Sequence, residues 1–131
     1  MELTTAPSPY SVADTVDRLM ASLERRGIRV FARIDHAGNA RAAGMALPAE
    51  EVLIFGDPGA GTRLMQVDPR IGLELPLRLL VWSEDGATRI GYRSPQEVAA
   101  EYDLPGPAQV LSTMSDLLAR LAEEASERSA A

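Results

Sequence analysis

Asp85-Gly86 stands between two apolar, β-rich runs, Leu77 to Ser83 and Ala87 to Tyr92. A two-residue type I′ turn requires positive φ at both central positions, and Asp-Gly is among the pairs that adopt it most readily. The segment therefore predicts an antiparallel hairpin. Upstream, Val12 to Arg26 repeats Val12, Val16, Leu19, Met20 and Leu23 at helical spacing. Ser11 and Asp14 make a capping-box-like pair before it, and Gly27 supplies a left-handed stop after it. Ile28, Val30, Ala32 and Ile34 then alternate with Arg29, Phe31, Arg33 and Asp35, the pattern of a strand with one buried face.

Residues His36 to Ala43 read as a connection with one helical turn, followed by a short segment at Met45 to Leu47. Val52 to Phe55 is a short apolar run that reads as an interior strand. In GDPGAGTRLMQVDP, Asp57 can cap and Pro58 can take the first position of a short helix through Leu64 and Met65. Ser94-Pro95 opens another helical segment to about Tyr102, and Pro105-Gly106-Pro107 breaks it. A last helix over about Ala108 to Ala125 puts Val110, Leu111, Met114, Leu117, Leu118 and Leu121 on one side, and SERSAA is a frayed tail. One-sided helices with mostly hairpin-linked strands make a two-layer α+β sandwich, a mostly antiparallel sheet packed by helices. A doubly wound nucleotide fold needs repeated strand-helix-strand crossovers, and only the start of the chain offers one. With no internal repeat or linker, residues 1–131 read as a single domain with a core over 10–125.

Composition closes many chemistries. There is no cysteine, which removes disulfides, thiolate metal sites and cysteine nucleophiles together. All 13 basic residues are arginine, so Schiff-base chemistry and a Walker lysine are impossible. With one histidine, His36, a two-histidine metal site cannot form within one chain, and no metal site or cofactor is identifiable. A formal charge of −6 argues against generic nucleic-acid or anionic-membrane binding, which depend on a dense cationic face. No basic leader precedes an apolar run, and no apolar stretch approaches the ~20 residues that span a bilayer. A cytoplasmic protein is the expectation.

The sequence IDH, then small residues and a glycine, then LIFGDPGAGTRLM, LPLRLLVW and the hairpin resembles the domain of unknown function 302 family over roughly Tyr10 to Leu104. The combination of FG-x-P, GT-x-LM and LPL carries the likeness. The resemblance implies a TATA-binding-protein-like α+β fold that often associates as a dimer, and no established reaction. The chain departs from the family's pattern at Asp57, where asparagine is commoner, and at Glu74, where aspartate is commoner. The extra negative charge at the elbow weakens anion binding there.

Two candidate sites follow. His36 beside Asp35 at a strand end matches the family pattern, and the imidazole can serve as a general base, a single axial haem ligand or one metal ligand completed by carboxylates. A lone histidine there can equally bond the backbone or face solvent. Asp35 cannot easily orient its neighbour, because adjacent strand side chains point to opposite faces. The second site is the elbow of Gly56, Asp57, Gly59, Gly61, Thr62 and Arg63. It nearly spells a phosphate loop but has Arg63 after Thr62 and no lysine, and Leu64 fills the last glycine position of a dinucleotide loop. What remains is turn chemistry, or N–H groups at a helix start that can hold a carboxylate or phosphate weakly.

Met65, Leu64, Trp82 and Tyr92 line an apolar pocket or fill core, and Glu50-Glu51 and Glu123-Glu124 read as solvated. No G-x-S-x-G elbow marks a serine hydrolase. The function expected is a non-catalytic small-molecule-binding or interaction domain with His36 and the elbow at the rim of one cleft. The alternative is a small enzyme using His36 as acid/base with Asp35, Asp57 or Arg63. A homodimer is expected from the resemblance and from the apolar residues on both faces of Leu77 to Trp82.

Overall fold

A computed structural model describes residues 3–102 and 108–128. The Pro105-Gly106-Pro107 break and the end of the SERSAA tail lie outside them. Ser11 accepts the Asp14 N–H and starts α1 (Val12–Arg25), and Gly27 at φ 67° ends it. The chain turns into β2 (Arg29–Asp35), and three further strands follow as a meander: β3 (Glu50–Gly56), β4 (Leu77–Glu84) and β5 (Ala87–Tyr92). Asp85 and Gly86 both take positive φ, 53° and 79°, as a type I′ hairpin between β4 and β5 requires.

The sequence pattern did not announce a fifth strand, β1 (Thr4–Ser8), which pairs antiparallel with β5. Its run TTAPS has no alternation of large apolar residues, and Pro7 is tolerated because β1 is an edge strand. The sheet order is β1-β5-β4-β3-β2, and every adjacent pair is antiparallel. Helices α1 and α5 (Ala108–Ser126) lie together on one face of this sheet. The result is the α+β sandwich of a sheet packed by helices.

Leu53, Phe55, Leu79, Val81 and Ile90 point from the sheet into that layer and meet Val16, Leu19, Leu23, Leu118 and Leu121, all fully buried. The alternating partners Val52, Ile54, Leu80 and Trp82 point to the other face, where they are half-buried. The Trp82 ring there lies over Gly91, whose hypothetical Cβ would come within 2.8 Å of it. Only glycine allows that approach.

Two expectations change here. A bulge between Val30 and Ala32 splits the supposed single face of β2. Val30 pairs with Phe55 and joins the core, whereas Ala32 and Ile34 pair with Ile54 and Val52 on the other face. The carboxylate pairs are not simply solvated. Glu51 is buried against Arg33 by the shift in register, and Glu124 binds Ser22 and Arg26 across the α1–α5 contact.

Candidate functional site

The elbow forms where β3 ends and the chain must leave the sheet. Asp57, in extended conformation, accepts the Gly59 N–H at 3.1 Å and caps α3 (Pro58–Val67), with Pro58 at its first turn. The Gly61 N–H reaches the Asp57 carbonyl at 3.2 Å, and the Thr62 hydroxyl donates to the Pro58 carbonyl at 2.6 Å. The chain's own carboxylate therefore sits where a ligand anion would bind. Arg63 is exposed, with no hydrogen bond or ion pair among the described residues.

After α3, a 3-10 turn (Pro69–Leu73) and a cis Leu75–Pro76 bond return the chain to β4. Between this return, α3 and the first turns of α5 lies a cavity of about 420 Å³. Gly56, Asp57, Gly61, Thr62 and Arg63 all line it, and Gly59 does not. Its remaining wall is mostly apolar: Phe31 and Leu77 on strands, Met65 on α3, Leu75 in the return segment, and Val110, Met114 and Leu117 on α5. At Gly61, the space a Cβ would occupy lies 3.6 Å from Leu75 and 3.8 Å from Met65, so a larger residue would narrow the cavity.

His36 is elsewhere. It opens α2 (His36–Ala42) at the other end of β2, where Asp35 accepts the Gly38 N–H at 2.8 Å as helix cap. Arg29 pairs with Gly56 and Asp35 with Glu51, so roughly 20 Å of strand separates His36 from the elbow. His36 is half-buried and does not line the cavity. Asp35 turns its carboxylate to its own helix, and no hydrogen bond or ion pair holds the imidazole among the described residues. The structure thus brings the elbow residues together around a space and leaves Asp35 and His36 outside it.

The strongest charge cluster is also at the His36 end. Arg33 donates from Nε to Glu51 at 2.7 Å and from a terminal nitrogen to Asp17 at 2.8 Å, and these bonds hold its guanidinium charged. At the elbow end, Arg93 binds Glu74 at 2.9 Å and Glu101 at 2.7 Å, and burial pushes the Tyr92 phenol above its ordinary pKa. No group of three or more His, Asp or Glu side chains among the described residues is placed to hold a metal ion.

The comparisons with known proteins agree with this architecture. The model of the Domain of unknown function DUF302 matches residues 4–121. The chain belongs to the DUF302 family. The crystal structure of an uncharacterized conserved protein DUF302 from Bacillus stearothermophilus superposes with a TM-score of 0.85. It covers 95% of this chain and 98% of that one at 21% identity, and shows that the fold is shared. Among curated relatives, this DUF302 chain is 47% identical over 88 residues to Fluoride-specific ion channel FluC 1 of Brucella suis biovar 1 (strain 1330). The match takes in 67% of this chain and 34% of that protein. The likeness to Fluoride-specific ion channel FluC 1 of Brucella abortus biovar 1 (strain 9-941) is the same, over 32% of its length. This chain therefore spans about a third of the curated relatives it matches. No helix among its described residues is long and apolar enough to cross a membrane.

Sequence reasoning missed two walls of the DUF302 cavity. One is the α5 face carrying Val110 and Leu117, read from periodicity only as a core face, together with Thr113, which the periodicity does not single out. The other is Phe31, which the sequence does betray. It is a large aromatic in the polar phase of a strand, and it stays 43% exposed with the Arg29 guanidinium 4.7 Å from its ring centre.

Proposed function

We propose that this DUF302 chain is a non-catalytic small-molecule-binding domain that works as a homodimer, with the cavity beneath the Gly56–Arg63 elbow as its binding site. The cavity itself carries the reading. At about 420 Å³ it is within the size range of small-ligand sites, mostly apolar, with a few polar groups at its rim. The Thr62 hydroxyl at that rim is bonded to its own helix, as is the Thr113 hydroxyl, bonded to the Gln109 carbonyl at 2.9 Å. Binding by shape and apolar contact needs neither hydroxyl. A general acid/base centred on His36 has no comparable support, because the histidine lies at the far end of β2 from this space.

Self-association is supported by the sheet face opposite α1 and α5, where Ile34, Val52, Ile54, Leu80 and Trp82 form a half-buried apolar surface. The likeness to channel proteins bears on context. No helix among the described residues of this chain is long and apolar enough to cross a membrane, so the binding reading draws on the cavity and not on the channel activity in those relatives' name.

Native mass spectrometry of freshly purified protein tests both parts at once. The expected result is a two-chain mass at micromolar concentration, with a small molecule retained per chain. Thr113→Trp, on the exposed side of α5 where it lines the cavity, should lose that molecule while staying folded. A folded Thr113→Trp protein that retains it in full overturns the assignment of the site, and a strictly monomeric mass overturns the dimer.

A further inference from the structure

Phe31 is the residue that the β2 bulge leaves over. Val30 pairs with Phe55 and Ala32 with Ile54, so Phe31 has no partner in the β2–β3 ladder. Bulges re-aim a side chain in this way and are frequent next to active sites. The re-aimed ring lines the cavity beneath the elbow, together with Gly56 and Leu77 from the neighbouring strand ends. It stays 43% exposed, whereas Phe55, the other phenylalanine, is fully buried in the core. Arg29 lies over the ring, its guanidinium carbon 4.7 Å from the ring centre. A cation at that distance is attracted to the ring quadrupole and steadies the ring from one face. The remainder of the ring is left to the cavity.

The lining around it favours a ring over an aliphatic group. Met65 and Met114 bring thioether sulfurs into the wall, and sulfur makes favourable contacts at the edges of aromatic rings. Met65 has room there because Gly72 lacks a side chain, and a Cβ on that glycine would come within 3.1 Å of the sulfur. Two charged side chains line the same space. Asp57 contributes one negative charge, which its hydrogen bond to the uncharged Gly59 N–H does not cancel, and Arg63 contributes one positive charge. A ligand of either sign therefore gains at one of them what it loses at the other. Arg29 is exposed and does not line the space, so water and salt screen its charge from the interior.

Resting on the binding reading above, we infer that the cavity beneath the elbow is a site for a neutral ligand with a planar aromatic ring, stacked on Phe31. A flat ring gains at Phe31 and at the thioethers an attraction that a puckered aliphatic group of equal size does not. The balanced charges of Asp57 and Arg63 leave no net preference for an ion.

The test is a titration with phenethyl alcohol and with cyclohexylethanol, both neutral, followed by the backbone amide shifts of Phe31, Gly61 and Thr113. The saturated ring is the more apolar of the two, so burial alone favours it, and stacking reverses the order. Phenethyl alcohol should bind about threefold more tightly. Phenylacetate and phenethylammonium should each bind more weakly than the alcohol. Phe31→Leu keeps an apolar side chain at an exposed position, and in that variant the preference for the aromatic alcohol should vanish while cyclohexylethanol still binds. Thermal unfolding checks that the variant is folded. Cyclohexylethanol binding the wild type as tightly as phenethyl alcohol overturns the stacked ring and leaves the cavity a binding site. A preference that survives in folded Phe31→Leu does the same. A charged probe that matches the alcohol overturns the neutral assignment. Any molecule retained in native mass spectrometry should contain an aromatic ring, and a purely aliphatic one overturns the inference alone. Absence of shifts with every probe, in protein whose native mass carries no ligand, overturns the binding reading beneath it as well.

Discussion

The two ends of the β2–β3 pair are built from opposite materials. At one end Gly56, Pro58, Gly61 and Pro76 keep the chain small and let it diverge from the sheet, leaving space walled by Phe31, Met65 and Leu77. At the other, Arg33, Glu51 and Asp17 fill the interval between sheet and α1 with a closed set of ion pairs, and Asp35 caps its own helix. The residues that look most reactive in the sequence thus cluster away from the cavity beneath the elbow, and that cavity is where the residues look like turn formers. Chemical character alone is a poor guide to a site when the local backbone decides where room exists.

This contrast can be broken by substitution, and the largest effect belongs to the elbow end. Leu64→Ala removes a fully buried side chain from the small cluster formed with Ile71, Leu111 and Met114. It should cost about 3 kcal/mol in chemical denaturation. A loss below about 1 kcal/mol would mean that this end is not packed as described.

At the opposite end Arg33→Ala should cost about 2 kcal/mol, because it strands the Glu51 carboxylate, whose side chain is only 10% exposed. The arginine is itself a third exposed, which keeps the figure below that of a fully buried pair. The double variant Arg33→Ala/Glu51→Gln should recover much of the loss. If it is as unstable as the single variant, the stranded charge is not the cause.

Alkaline pH should act on the cavity end. Burial raises the Tyr92 pKa in the folded state, so its contribution is present below the ordinary phenol value near 10 and is lost as pH rises through the folded value. Unfolding free energy should fall above pH 10, and Tyr92→Phe should flatten that fall. An unchanged slope would place the alkaline sensitivity elsewhere.

The smallest effect is expected at His36. Replacement by alanine should change stability by less than about 1 kcal/mol, and should leave the small molecule retained in native mass spectrometry unchanged, since the ring stands roughly 20 Å of strand away from the elbow. A large loss of binding there would remove the contrast between the two ends.

Helix and hairpin signals were local, and so were legible. Ser11, Gly27, Pro58 and Asp85-Gly86 act on their immediate neighbours, and the elements around them form where those residues place them. The strand β1 was not legible, because TTAPS becomes a strand only by pairing with β5, far along the chain. The β2 bulge was equally hidden. A period-two pattern continues through Val30, Phe31 and Ala32 without a break, and only pairing with β3 shows that one residue is extra. Of the candidate site, the elbow residues could be named from the sequence and the space beside them could not. That space is bounded by Leu75 and α5, whose approach to the elbow is tertiary.

The seam between the two helices bears on how the chain assembles. Arg18 on α1 donates to the carbonyls of Ala125, at 2.9 Å, and Glu127, also at 2.9 Å, across 107 and 109 positions of sequence. Tyr10 reaches the same Glu127 carbonyl. The meander from β2 to β5 needs shorter loop closures and can form early, whereas β1 and α5 must wait for the longest closures in the molecule. The terminal segments should therefore dock last and detach first, so that amide protons of β1 and of the final turn of α5 exchange together, well before those of β3 and β4.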